Sequence, residues 1–410
     1  MKILYFTTFD LSLAKGPSIN EREFVGQLLR HPGVQARAIV PSSALALGEF
    51  PKESLRPIRH AWGPSTHAII SSERDVERAL LSEVDVFKPD MVVGRLALLP
   101  FGCLRALRCT DTPLAIKSLG SAGFVANGWS LNQIAVRGLR PLVRWLLRRV
   151  VQRACTIDST TNELRSLIIN QVGARPNAYY VVPNATNVDR FVPGNSMDLR
   201  ESLGIPPQGV VVGYAGGDPW QRGGCEVIQA VARLRAEGVD AYGVVVGGAE
   251  SALLELARQY GIIAQFHAPG RVDYATVPQW INLIDLGVAF DHSQRAAWIG
   301  NSYQKVRQFV ACGRFIITQT DDLDQIARCP LVVRVRQKDT ENIYWAILEI
   351  LELSDSERKA RQLSGRTFAE RHLSLAAALE MRLHNWKSAL GYGSESGKTP
   401  VITEKGVCPL

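Results

Sequence analysis

Short apolar, β-branched runs recur along the chain at residues 3–7, 36–40, 90–94, 113–117, 155–158 and 179–182, and stretches of helical periodicity separate them. After a break, a second series follows at 210–214, 242–246, 264–266, 286–290, 315–318 and 331–333. Near-continuous apolar strands set between amphipathic helices are the pattern of parallel sheets covered on both faces. The chain therefore reads as α/β, with two Rossmann-like, doubly wound domains. The break, residues 183–195, holds two prolines, a glycine and three asparagines, the composition of a linker. Two such domains facing one another would leave a central cleft at the carboxyl ends of their strands, where ligands of open α/β sheets bind.

Residues 339–389 carry three further helical patterns, the last of which could cross back onto the first domain. The expected division is 1–190 for the N-terminal domain, 191–374 for the C-terminal domain, 375–390 for the returning helix and 391–410 for a flexible tail. The tail imitates a phosphate-binding P-loop at Gly397-Lys398-Thr399. Tyr392 stands where that motif needs its first glycine, and no strand precedes it, so the match fails.

Composition adds limits rather than a function. A chain of 410 residues, 46% hydrophobic and 21% charged, is long enough for two ordinary cores. The start is too short an apolar run for a signal peptide, and no stretch reaches the roughly 18 apolar residues of a membrane span, so the expected location is cytoplasmic. Seven cysteines stand singly in apolar segments and read as reduced, mostly buried thiols. The net charge of +8 suits a phosphate-bearing partner. One segment gives that charge a direction: Arg137, Arg140, Arg144 and Arg148 form a helical stripe, with Leu139, Leu142, Val143, Leu146 and Val150 facing the other way. Such a helix could lie on anionic phospholipid at the inner face of a membrane; it could equally be a solvated basic face.

Two segments carry candidate chemistry. In the first, a strand from residue 210 runs into Gly216-Gly217, then Trp220-Gln221-Arg222-Gly223 opens a helix. Glycines permit close backbone approach, the helix start offers free N–H groups, and Arg222 adds a full positive charge, which together make a phosphate cradle. An ordinary strand-to-helix turn would look much the same. The second segment reads as loop, helix and strand, with Asn301, Ser302 and Tyr303 leading into a helix that Ser302 could cap. Lys305 and Gln308 lie one turn apart on an edge facing the cleft, while Phe309 and Val310 pack inward.

In this order the segments resemble glycosyltransferase family 4. Trp220-Gln221-Arg222-Gly223 is similar to that family's Trp-x-Lys-Gly turn, and Ala230 to Leu234 to its following helix. Ser302-x-x-Lys305-x-x-Gln308 through Gly313 looks like its Ser-Pro-x-Lys-x-x-Glu motif, and Pro183-Asn184 through Phe191 like its interdomain segment. Arg271 and Val272 stand in what resembles the loop around the nucleobase. Gly16 stands where members have a glycine loop beside the donor phosphates. The resemblance covers roughly residues 180–375 well and the first half in outline.

It implies the GT-B fold and retaining transfer of a sugar from a nucleoside diphosphate sugar to a glycan, lipid-linked or small-molecule acceptor. The first domain would be the acceptor side and the second would hold the donor, with Arg222 and Lys305 stabilising the leaving diphosphate. Gly16, Gly216, Gly217, Gly223, Arg271, Val272, Asn301, Ser302, Tyr303 and Gln308 would line the donor site. No cofactor, metal or nucleic-acid partner is implied.

Departures matter. The two signature glutamates would fall at Gly300 and Gln308, and neither is present. The usual companion arginine is replaced by Gly216-Gly217, and no histidine follows the strand ending at Lys117, so no catalytic base is assigned. Asp322 and Asp324 imitate a metal-binding Asp-x-Asp but read better as helix-capping residues. A degenerate subunit acting as a binding or scaffold protein, and a GT-B sugar-nucleotide epimerase, stay open beside the transferase.

Overall fold

The computed structural model describes residues 1–13, 16–63, 65–96, 99–117, 140–172, 178–292, 304–319, 325–335 and 340–392. The described residues form two compact units: Met1–Pro183 together with residues 378–392, and Asn184–Ala296 with Asn301–Ala377.

The first unit contains β1 (Lys2–Thr7), α1 (Gly16–Arg30), β2 (Gln35–Pro41), β3 (Leu55–Ile58), α2 (Thr66–Phe87), β4 (Met91–Arg95), α3 (Phe101–Ala106), β5 (Leu114–Lys117), α4 (Arg140–Arg153), β6 (Ala154–Ser159), α5 (Asn162–Leu167) and β7 (Ala178–Val181). Its seven strands are parallel, in the order β3-β2-β1-β4-β5-β6-β7. Successive side chains of a strand point to opposite faces, so Leu4 and Phe6 join one core while Ile3 and Tyr5 join another. The first core takes Val143, Leu147 and Val151 from α4. The second takes Phe24 and Leu28 from α1, and Leu379, Leu383 and Trp386 from the last helix.

The second unit contains α6 (Met197–Ser202), β8 (Val210–Ala215), α7 (Gly224–Ala236), β9 (Ala241–Val246), α8 (Glu250–Gln259), β10 (Phe266–Gly270), α9 (Val277–Leu283), β11 (Leu286–Ala289), α10 (Gln304–Ala311), β12 (Phe315–Thr318), β13 (Val332–Arg334), α11 (Thr340–Leu351) and α12 (Asp355–Phe368). The chain ends its described part in α13 (Leu375–Ala389). The second sheet is also parallel, in the order β10-β9-β8-β11-β12-β13, around one continuous core.

Four expectations need correction. Strand β3 was absent from the sequence pattern because it is an edge strand with Pro57 inside it, paired on one side only, so just Leu55 and Ile58 are buried. For the same reason β10, an edge strand with a register shift near Pro269, begins where a strand at 264–266 was expected to end. Leu142 does not face inward. It is exposed beside Trp145, and Leu147 and Val151 take the inner face of α4 instead. Among the described cysteines all are free; Cys103, Cys312 and Cys329 are buried, but Cys109 is exposed. Arg137, Leu139, Asp322, Asp324, Cys408 and the tail from residue 393 lie outside the described residues. Among the described residues, no helix is long and apolar enough to cross a membrane.

Candidate functional site

In the second unit the carboxyl end of β8 runs into a turn at Gly216 and Gly217, held by Gly216 N–H donating to the Val246 carbonyl at 3.0 Å. Gly217 is exposed, and a Cβ there would meet nothing within 4 Å. The chain then passes through Asp218, which holds a left-handed conformation (φ 57°), into a single 3-10 turn at Pro219–Gln221. Gly223 follows at φ 120°, where a Cβ would lie 2.7 Å from the carbonyl oxygen of Val288. This glycine is therefore required by packing of the α7 start against β11, whatever ligand approaches.

Two bonds tie this loop to the chain leaving β11: Phe290 N–H donates to Arg222 O at 3.2 Å, and His292 N–H to Gln221 O at 3.0 Å. They set Arg222 beside Asp291, with Nε 3.6 Å from Oδ2. Asp291 is buried, while the Arg222 side chain keeps 23% of its surface exposed. Arg222 Nε has no hydrogen-bond partner among the described residues.

Lys305 enters from α10. Its Nζ donates to the Tyr214 hydroxyl, which donates in turn to the Gly217 carbonyl at 2.8 Å, so the lysine is coupled to the glycine turn. Burial above all, then the positive charge of Arg222, holds the Lys305 ammonium well below its ordinary proton affinity, against the opposing pull of Asp291 and Asp218. Two cations thus meet at the carboxyl ends of β8 and β11, where helix starts and backbone N–H groups favour negative charge. Beside Arg222, Glu226 in the first turn of α7 pairs with His292.

Of the residues chosen from sequence, Arg222, Lys305, Gly216, Gly217 and Gly223 come together here. Arg271, exposed after β10, is adjacent: a Cβ on Gly248 would be 3.9 Å from its Nε, and the neighbouring Gly247 packs against the Gly216 carbonyl. Val272 is half-buried against the core of this unit. Gln308, like Lys305, is buried, because α10 packs among α9, β12 and α12. Asn301, Ser302 and Tyr303 lie outside the described residues. Gly16 opens α1 in the other unit, with open space where a Cβ would be.

Sequence reasoning missed Tyr214, Asp291, Glu226 and His292. Asp291-His292 directly after an apolar strand marks a carboxyl strand end, and that was the available signal.

The first unit has its own charged group. Glu21, fully buried on α1, accepts from Lys117 Nζ at 2.9 Å and from Arg95 NH1. Burial alone would raise this carboxyl, but Lys117 and Arg95 outweigh it and hold it below the usual value. Burial lowers Lys117 to about 8 although Glu21 opposes the shift. Beyond them Arg382 of α13 pairs with Asp158 at the end of β6.

No protein-family profile matches the chain. Among solved structures, a glycosyltransferase from Rickettsia africae superimposes with a TM-score of 0.69 at 15% identity, over 96% of this chain and 99% of that one. Anabaena HepE in complex with UDP gives 0.69 at 14%, over 95% and 100%. The fold is GT-B. A UDP-N-acetylglucosamine 2-epimerase from Listeria monocytogenes also shares it, with a TM-score of 0.58 at 12% identity over 96% and 97%.

Curated relatives match over shorter stretches. A 2-deoxystreptamine glucosyltransferase of Streptomyces kanamyceticus is 29% identical over 36% of this chain and 39% of its own. A D-inositol 3-phosphate glycosyltransferase of Catenulispora acidiphila is 28% identical over 41% of each. The chain thus matches about two-fifths of the length of these relatives, all of which are glycosyltransferases by name.

Proposed function

We propose that the chain is a retaining, metal-independent glycosyltransferase that moves a sugar from a nucleoside diphosphate sugar to an acceptor hydroxyl. The observation that carries this reading is the meeting of Arg222 and Lys305 beside an exposed glycine turn at the carboxyl end of β8. Departure of a nucleoside diphosphate builds negative charge on its phosphates, and preorganised cations and N–H dipoles lower that barrier most. Arg222, half open and tied to Asp291, offers a forked donor to the diphosphate. Lys305 adds a point charge from below the turn.

Uridine is the base we propose, since the GT-B relative HepE is known with UDP and with UDP-glucose. Arg271 and Val272, on the neighbouring turn, would flank it. The first unit would take the acceptor.

The reading is tested by incubating the full chain with labelled UDP-sugars and sugar or cyclitol acceptors. Transfer or slow donor hydrolysis is the expected result. Formation of an epimeric nucleotide sugar would replace it with epimerase chemistry, and binding without turnover would make the chain a scaffold.

We also propose that α4 brings the protein to anionic lipid. On its outer face Arg144, Arg148 and Arg149 are exposed together with Leu142 and Trp145, and Arg149 lies 5.6 Å from the Trp145 ring centroid. Exposed apolar groups between arginines fit a lipid interface better than a purely solvated basic face does.

A further inference from the structure

The carboxyl end of the first sheet holds a group of side chains that the donor chemistry leaves unused. Phe9, just past β1, stacks on Trp62 in the segment after β3, with ring centroids 6.0 Å apart and planes 30° apart. The backbone N–H of Trp62 donates to the Thr8 carbonyl at 2.7 Å, which ties the Trp62 backbone to the chain just past β1. The guanidinium of Arg95, at the end of β4, lies 4.4 Å from the Phe9 ring centroid. Phe9, Trp62 and Arg95 are all half-buried, so the layered trio reaches the surface.

Besides Glu21 Oε1, two polar atoms here have no hydrogen-bond partner among the described residues. They are Trp62 Nε1 and Thr8 Oγ1, and Thr8 is 1% exposed. Buried polar atoms are nearly always satisfied, so an orphan pair at a strand end marks a polar spot beneath the aromatic stack.

The charge beside the trio is not balanced. Among the described residues Arg95 and Lys117 pair with Glu21 and Arg382 pairs with Asp158, and one Glu21 oxygen, Oε2, serves both Arg95 and Lys117. Burial above all, and then the positive charges of Arg95 and Arg382, lower Lys117 to about 8 although Glu21 opposes the shift. Asp10, the nearest carboxylate along the chain from Phe9, is turned to Ser12 and Ser43 instead.

We infer that the first unit selects a ring-shaped, polyhydroxylated acceptor carrying a negative charge, with its C–H face on the Trp62–Phe9 stack and its anion at Arg95. The inference rests on the transferase reading, and within it Arg95 and Trp62 set acceptor choice. Flat aromatic surface suits the apolar face of a sugar or cyclitol ring. A guanidinium that is already stacked and ion-paired is preorganised to take an anion in a charge-assisted bond. A cationic aminocyclitol would meet repulsion at the same place.

Calorimetric titration of the full chain with two matched pairs, glucose with glucose 6-phosphate and myo-inositol with myo-inositol 1-phosphate, tests this directly. In at least one pair the phosphorylated ring should bind tenfold tighter or more, and 2-deoxystreptamine should bind no better than the neutral rings. Arg95→Gln should erase the preference for the phosphorylated ring, Arg95→Lys should restore part of it, and Trp62→Ala should weaken both members of the pair alike.

Equal affinity within both pairs, a preference that survives Arg95→Gln, or tighter binding of the aminocyclitol would overturn the inference. Inorganic phosphate binding as tightly as the phosphorylated ring would overturn its ring half. Each variant is also titrated with UDP, which reports that it is folded. UDP binding without any acceptor preference sinks this inference alone, whereas a chain that binds no UDP sinks the transferase reading.

Discussion

Lys305 shows how a single residue links burial to function. It is held far below the ordinary lysine value by burial and by Arg222, so a diphosphate arriving beside it should pull its proton affinity back up. Binding of UDP should therefore take up a proton wherever the free lysine is partly deprotonated, and affinity should fall as pH rises through that range. Titrations in two buffers of different ionisation heat would reveal the uptake, and Lys305→Met should abolish it; heats that do not depend on the buffer would refute this role.

Glu73 of α2 gives a second residue-scale test, unconnected with ligands. It is buried, accepts from Gly102 N–H at 3.0 Å, and burial raises it from 4.5 to about 8. A carboxyl raised on folding contributes fully below its unfolded value and loses that contribution as pH climbs through the folded value. Stability should thus decline between about pH 4.5 and 8 on this account. Glu73→Gln, which keeps the acceptor without the charge, should gain on the order of 4 kcal/mol at pH 9 and little at pH 4. Denaturant melts at the two pH values would check it, and equal effects at both would count against it.

At the scale of elements, the start of α7 and the face of α4 make separate demands. Gly223→Ala should cost about 2 kcal/mol, because its positive φ and the Val288 carbonyl 2.7 Å from a new Cβ both resist a side chain. The same shift would move Arg222, so UDP affinity should fall with stability; a variant as stable as the parent would show that the loop relaxes freely. For α4, the full chain should sediment with phosphatidylglycerol vesicles at low salt and not with phosphatidylcholine vesicles. Trp145→Ser combined with Arg148→Glu should release it. Equal sedimentation with both lipids, or with neither, would remove the lipid contact. Nucleic acid bound as tightly as the vesicles would show instead that the face is merely basic.

Across the whole molecule, the central strands were legible because burial on both faces writes an unbroken apolar run into the sequence. Edge strands β3 and β10 were not, since half their residues face solvent and each contains a proline. The same logic governs the site. Arg222 and the glycine turn stand in one contiguous segment and could be read as a unit. Asp291 and Tyr214 become their partners only when β8 and β11 pair side by side, which no local pattern announces. The burial of Gln308 was not legible, because helical periodicity shows which residues share a face but not that every face is covered.

The most direct test of the donor site is calorimetric titration of UDP into the full chain and into Arg222→Ala. We expect UDP to bind the parent and the variant to lose about a hundredfold in affinity, on the order of 3 kcal/mol for removal of a charge-assisted phosphate contact. Unchanged affinity in Arg222→Ala, or a parent chain that binds no UDP, would contradict the assignment of the β8 turn as the nucleotide-sugar site.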